Sequence, residues 1–503
     1  MWKNGKPAWV DFSGALLLSA AVLYLGYGVD RKDFWSLFGA FVVAFAGYTA
    51  LIFRAHDGYL RWLAGLGVAL RLGLVFAFPL LSDDVYRFIW DGHLIAAGHN
   101  PFVELPAHYL EAGNGVPGLT PELFDRLNSP EYYTIYPPVA QGVFTLAVWV
   151  SPNSWYGAAV VMKLFLLACE LGSLWLLWRL FGARARDAGE GFQDRLPFSM
   201  NNGTIAVLPS EPPLLSQGPR REGEAAPGEA ARRKGAGERG LPRTNLLFYW
   251  LNPLIIVEIT GNLHFEGAMV FFLLLAYYLL QRSKLIAGAV AMAAAVASKL
   301  LPLMLLPLLI RRFWRGPLRE WWTSGKRFYL FSVAFGVSCI LFFAPLLLSP
   351  GFLEGFRSSL ELYQKKFEFN ASLYYVARAI GYLQVGWNQI ATIGPALAKA
   401  SAAGILLLAL LDKRRDYASL PEGWLWAFVL YLLCATTVHP WYLSVPIVLC
   451  CFTRWRFPLV WSFLIMLTYI SYVGEPYREN LWLVAGEYGV VGAFLLWEVR
   501  RRV

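Results

Sequence analysis

What most limits the fold of this chain is a succession of apolar runs. They fall at about 12–29, 34–53, 59–80, 156–181, 245–261, 265–281, 285–298, 300–310, 327–348, 386–411, 422–438, 441–453, 456–473 and 481–497. Most approach the roughly 17 to 25 residues a helix needs to cross hydrocarbon. Backbone groups in lipid must find partners within their own segment, which a helix allows and an open strand does not. The expected fold class is therefore all-α, a polytopic transmembrane helical bundle of roughly 12 to 14 crossings. With 57% hydrophobic residues, 16% charged residues and 21 Trp, a soluble domain is excluded. The lipid bilayer is the first partner.

The net charge of +10 raises the question of nucleic acid. Arg and Lys sit in short clusters between apolar runs, where membrane topology explains them, so no nucleic-acid partner is expected. Cys169, Cys339, Cys434, Cys450 and Cys451 lie in apolar segments without metal-type spacing, and read as small core residues. Lys3 and Lys6 precede an apolar run lacking a convincing cleavage site, which favours an uncleaved first helix.

Placing Lys3 and Lys6 in the cytoplasm puts Arg54 and Arg61 there and sends Asp83 and Asp84 to the far side. Val139–Val150 is short. Counted as a crossing it would expel the basic stretches "RARD", "RREGE" and "ARRKGAGERG", so it is read as a helix lying at the outer surface or dipping partway in. The clusters at 281–284, 311–315, 412–416, 454–456 and 500–502 then fall inside with both termini. The chain divides into an N-terminal transmembrane part, 1–182, carrying an extracytoplasmic loop at 81–155, and a C-terminal transmembrane part, 244–503. Between them, 183–243 is rich in Gly, Pro, Ala, Glu and Arg and reads as a flexible cytoplasmic linker.

Four unusual stretches gather on the outer face: 81–155, "GNLHFEG" at 261–267, "KKFEFNASLYYVAR" at 365–378 and "TTVHPWYLSVP" at 436–446. Ionisable groups at the membrane boundary are costly unless used, which marks this face as the candidate site. Asp83 and Asp84 are candidate catalytic carboxylates able to take a proton from an attacking hydroxyl. Their structural account is a helix start: Ser82 as N-cap, acids in the first turn, and Arg87 four residues from both Asp83 and Asp91. Arg87, Asp91, His264, Glu266 and Tyr136 are candidate substrate-binding residues. Lys299 interrupts two short apolar pieces before Pro302, and a lysine in mid-membrane costs on the order of 2.5 to 3.5 kcal/mol. Either it snorkels, or it meets a phosphate. Arg71 poses the same question, and His439 beside Pro440-Trp441-Tyr442 could donate to an anion. No HExxH, CxxC, P-loop or GxGxxG pattern occurs, so no zinc and no nucleotide site is expected.

The ordered set "SDDVYRFIWDGHLIAAGHNPF", "TIYPPVAQ", "LNPLIIVEITGNLHFEG", "ASKLLPLMLLP", "KFEFNASLYYVAR" and "TTVHPWYLSVP" resembles the membrane-embedded GT-C glycosyltransferases. It is most similar to bacterial mannosyltransferases that use a polyprenyl-phosphate sugar, and more distantly resembles the catalytic subunit of glycosylphosphatidylinositol mannosyltransferase I. The likeness runs from about residue 59 to 450. It implies an inverting enzyme of the bacterial inner membrane, with a polyprenyl-phosphate-linked hexose as donor, mannose by preference, and a glycan or glycolipid hydroxyl as acceptor. It also implies an acidic motif in the first large outer loop, carried by Asp83 and Asp84, with Asp91 at a later acidic position. The eukaryotic pattern separates its two acids by one position, whereas these are adjacent; Asp83 is favoured as the base. Lys299, His439 and Arg71 would hold the donor phosphate. No cofactor is expected, and a metal is less necessary than for a diphosphate leaving group, although the aspartate pair could hold one. The competing class is a transporter or flippase for a lipid-linked or anionic solute.

Overall fold

The computed structural model describes residues 9–193, 198–201, 204–207, 241–314, 325–474 and 477–502. Lys3 and Lys6 lie outside the described residues, as does most of the expected linker at 183–243. Two compact units are present, Leu177–Arg243 and the remainder of the chain. The smaller unit contains an antiparallel hairpin of Phe198–Asn201 with Thr204–Val207, Phe198 facing Val207.

The larger unit is a polytopic helical bundle. Among the described residues, seven helices are long and apolar enough to cross a membrane: α1 (Trp9–Tyr27), α2 (Phe34–Arg54), the span ending in α3 (Leu60–Val75), Trp155–Gly182, Lys326–Leu347, Ile390–Leu411 and Leu481–Arg500. An eighth candidate, Pro253–Gly261 followed by Glu266–Gln281, is bent by 112° at its break. Five apolar helices are shorter: Pro138–Val150, Leu285–Ser298, Leu420–Cys434, Pro440–Cys450 and Phe457–Tyr472. Every apolar run read from the sequence is thus helical. Seven or eight of these helices are full-length candidate spans, and several of the other runs are halves of interrupted helices.

The interruptions have local causes. Asn252 accepts from the Leu254 amide and starts a short helix at Pro253. The following Ile256–Gly261 turn is of π type, and the chain then reverses through Leu263 at φ 65°. At Lys299 the backbone is extended, and Pro302 and Pro307 hold the next stretch, Leu301–Leu309, in a 3-10 helix. Leu420–Cys434 stops before an extended stretch, and Pro440 opens the next turn. A parallel bridge joins Phe369 to Thr437 beside that break.

Arg54 pairs with Asp11 at 2.6 Å where α2 ends and α1 begins. The same end gathers Arg312 on Asp412, Arg414 on Glu422, and the Arg456 and Phe457 amides on Glu498. At the other end of α2, Arg31 meets Asp83. Here α4 (Asp84–Ala96) packs against Pro138–Val150 so closely that a Cβ on Gly92 would lie 2.5 Å from the Phe144 carbonyl oxygen. That second helix has 13 residues, about 20 Å at 1.5 Å per residue, too short to cross.

Candidate active site

A cavity of about 540 Å3 opens where α4, the 128–136 loop and the broken helices meet. Asp83 and Asp84 stand on its wall at the N-terminus of α4, where backbone amides favour negative charge. Ser82 Oγ accepts from the Asp84 amide at 3.3 Å. The two carboxylates have separate partners. Asp83 Oδ2 accepts from Arg31 Nη2 at 2.5 Å, whereas Asp84 Oδ1 accepts from Asn128 Nδ2 at 2.7 Å. Arg31 also lies over the Tyr472 ring, its guanidinium carbon 4.8 Å from the centroid.

Lys299 enters the cavity from the extended residue between two helical pieces. Its Nζ lies 2.9 Å from Glu266 Oε1 and 5.6 Å from the centre of the Tyr136 ring. Glu266 is fully buried, and neither of its oxygens has an aligned hydrogen-bond donor, so the attraction to Lys299 is Coulombic. Tyr136 lines the cavity, packed edge-on against Phe88 and Phe144.

Opposite stand three stacked rings. Trp441 lies between His264, 3.6 Å away between centroids, and His439, 4.5 Å away. With both faces covered, Trp441 offers its edge to the cavity. His264 Nε2 is 3.2 Å from Glu258 Oε2 without hydrogen-bond alignment, and the same glutamate accepts from Tyr469 at 2.7 Å. His439 is packed against Phe369, and burial pushes its pKa down to about 3, with His264 and Lys299 acting the same way and Asp84 against them. His439 is thus a neutral donor or acceptor at ordinary pH.

Four candidates do not line this cavity: His264 and Glu266, which touch its wall residues Trp441 and Lys299, and Arg71 and Asp91. Arg71 lies inside the bundle, its Nε 2.8 Å from Glu170 Oε2 and its Nη1 2.8 Å from the Trp250 carbonyl, with Trp250 stacked beneath it. The guanidinium is fully buried, and its Nη2 lies 2.7 Å from Glu170 Oε2. Asp91 is likewise fully buried and accepts from Arg87, Thr134 and Gln141. Arg87, itself on the cavity wall, also donates to the carbonyls of Ser129 and Tyr132. Asp91 and Arg87 therefore tie the 128–136 loop to α4.

Several cavity residues were not singled out from the sequence: Arg31, Asn128, Tyr132, Glu368, Tyr472 and Tyr477. Glu368 is held by Arg378 and by Tyr374 at 2.5 Å. A second, mostly apolar groove of about 390 Å3 adjoins the first, sharing Ile135, Lys299, Thr437 and Tyr442 with it and extending over Leu301, Met304, Ala398 and Ile405. Among the described residues, no group of three or more His, Cys, Asp or Glu side chains gathers in metal-holding geometry.

The fold is thus a polytopic helical bundle whose cavity is lined by two adjacent carboxylates and a lysine. The family model described as "Alpha-(1->6)-mannopyranosyltransferase, N-terminal domain" matches residues 5–190 and 231–315. The chain belongs to this GT-C mannosyltransferase family, which makes it a mannosyltransferase of the membrane. A search of the curated proteins gives no match.

Proposed function

We propose that the protein moves mannose from a polyprenyl-phosphate carrier to a hydroxyl of a glycan or glycolipid on the extracytoplasmic face of the bacterial inner membrane. The observation that carries this reading is the junction at Lys299 of a polar cavity and an apolar groove. A lipid-linked sugar phosphate has the same three parts. Its chain suits the groove, its phosphate suits the ammonium group, and its sugar suits the cavity beside the aspartates. Nucleotide sugars are cytoplasmic, whereas a flipped lipid-linked sugar reaches the outer face.

In this reading Asp84 is the base. Asp83 is engaged by the Arg31 guanidinium, which leaves it to orient Arg31 and the start of α4. Asp84 has a neutral amide as its hydrogen-bond donor. It removes the hydroxyl proton as that oxygen attacks the anomeric carbon. The bond from that carbon to the phosphate oxygen breaks, and the electron pair leaves with the phosphate, whose added charge Lys299 stabilises. A one-step displacement inverts the anomeric carbon, so an α linkage requires a β-linked donor. The 6-hydroxyl of a mannoside, the position in the family description, is the proposed nucleophile.

Purified protein in nanodiscs, given polyprenyl-phosphate mannose and an α-mannoside, should release one polyprenyl phosphate per mannose transferred. Transfer from a nucleotide sugar alone, or full activity in both Asp84→Asn and Asp83→Asn, would sink the proposal. Cysteine labelling at Ser82 from the outer side tests its placement.

A further inference from the structure

Away from the cavity, Glu479 and Glu487 converge on Asn370 at a small void between Leu481–Arg500 and the Ile465–Tyr472 segment. Asn370 is fully buried. Its amide donates to Glu479 Oε1 at 2.5 Å, and its Nδ2 donates to Glu487 Oε1 at 3.2 Å. Glu487 Oε1 also accepts from Trp461 Nε1 at 2.7 Å. These donors are all neutral. Among the described residues, no Lys, Arg or His lines the void, and the two glutamates are its only charged groups. Asn370 Oδ1, on the same wall, is buried and has no hydrogen-bond partner among the described residues.

Glu487 is fully buried and Glu479 is half-buried, and a buried carboxylate with a second one beside it requires a counter-charge or a proton. The void itself is about 10 Å3, close to the volume occupied by the centre of a single water or ion. Oxygen donors surround it: two carboxylates, one unsatisfied amide oxygen and the hydroxyls of Thr468 and Ser471. Hard divalent cations that tolerate irregular oxygen shells suit such a set, and sulfur or imidazole ligands are absent from the lining.

We propose that Glu479, Glu487 and the Asn370 side-chain oxygen form a binding site for one calcium-class cation. The site has a consequence for the cavity. Asn370 occupies the left-handed region at φ 46°, and the preceding Phe369 pairs with the extended 436–438 stretch and packs its ring 4.7 Å from His439. A cation seated under Asn370 fixes the backbone that presses Phe369 against His439.

The test is a binding measurement on full-length protein in nanodiscs, stripped with chelator and titrated with calcium alone by radioactive-calcium equilibrium binding, beside a thermal melt. One calcium per chain is expected, with a rise in melting temperature. Glu487→Gln and Glu479→Gln, each preserving shape and acceptor capacity, should melt like the stripped wild type and bind at least tenfold more weakly. No saturable calcium binding by the wild type overturns the proposal, and so does equal binding by both variants. Because binding is read without sugar transfer, its outcome is independent of the mannosyltransfer reading.

Discussion

The pair Lys299–Glu266 separates structure from chemistry, since the lysine could serve only to neutralise a buried acid. At 2.9 Å the Coulomb attraction is about 6 kcal/mol for an effective dielectric of about 20. Lys299 keeps 18% of its side-chain surface, so solvent screens part of that, and breaking the pair from the lysine side should destabilise the protein by about 3 to 5 kcal/mol. Lys299→Met is therefore expected to unfold at distinctly lower denaturant and to lose transfer. Adding Glu266→Gln removes the stranded charge and should restore most of the stability. If Lys299 also meets the leaving phosphate, the double variant stays about 10² to 10³-fold slower than wild type, the size of loss found when one transition-state charge contact is deleted. Initial rates with polyprenyl-phosphate mannose, normalised to folded protein by the melt, decide the matter. Recovery of wild-type turnover in Lys299→Met/Glu266→Gln would refute the phosphate role and leave only the structural one.

Asp84→Asn should lower turnover about 10² to 10⁴-fold while leaving the melt unchanged, whereas Asp83→Asn should lose less activity, because it removes a partner of Arg31 and not the proposed base. Arg71→Met leaves Glu170 buried without its cation, so it should cost about 3 to 5 kcal/mol in chemical denaturation yet leave the KM for donor unaltered in the fraction that folds. Gly92→Ala forces a methyl against the Phe144 carbonyl and should destabilise by about 1 to 3 kcal/mol in the same assay. The folded state keeps His439 neutral to about pH 3, whereas the unfolded chain protonates near 6.5. Stability is thus full above 6.5 and falls as pH drops toward 3, by about 2 kcal/mol at pH 5. His439→Phe should lack this acid-sensitive increment when unfolding is followed from pH 7 to 5.

The position of each apolar run was legible because hydrophobic length is a local property. Where the helices break was not, since two adjacent runs read alike whether they are two short spans or one helix broken by Pro302 or bent at Leu263. Arg87 shows the same boundary on a smaller scale. It lies four residues from Asp83 and four from Asp91, and spacing alone could not choose between them. The choice rests on distant groups: Thr134 and Gln141 complete the shell of Asp91, and Arg31 reaches Asp83 across 52 residues. Arg71 was drawn toward the site because a lone intramembrane arginine calls for an anion. Its partner, Glu170, stands in the apolar run 156–181, and the pair of opposite charges inside two such runs was the signal that could have kept Arg71 in the core.

The cavity and the broken helices have one physical cause. Irregular backbone within a membrane protein survives only where protein or enclosed water satisfies its amides and carbonyls, and the breaks at 299–300 and 435–439 line the same wall, with His264 of the break at 262–265 stacked on its Trp441. Continuous helices in their place would project apolar side chains at every third or fourth position and fill the space with hydrocarbon-like packing. An extended residue such as Lys299 instead directs a long polar side chain sideways out of the helical line, where it meets Glu266 at the start of another helix half. The proline-rich stretches that make the spans too short to count as crossings are, on this argument, what allows charged chemistry to sit beside lipid.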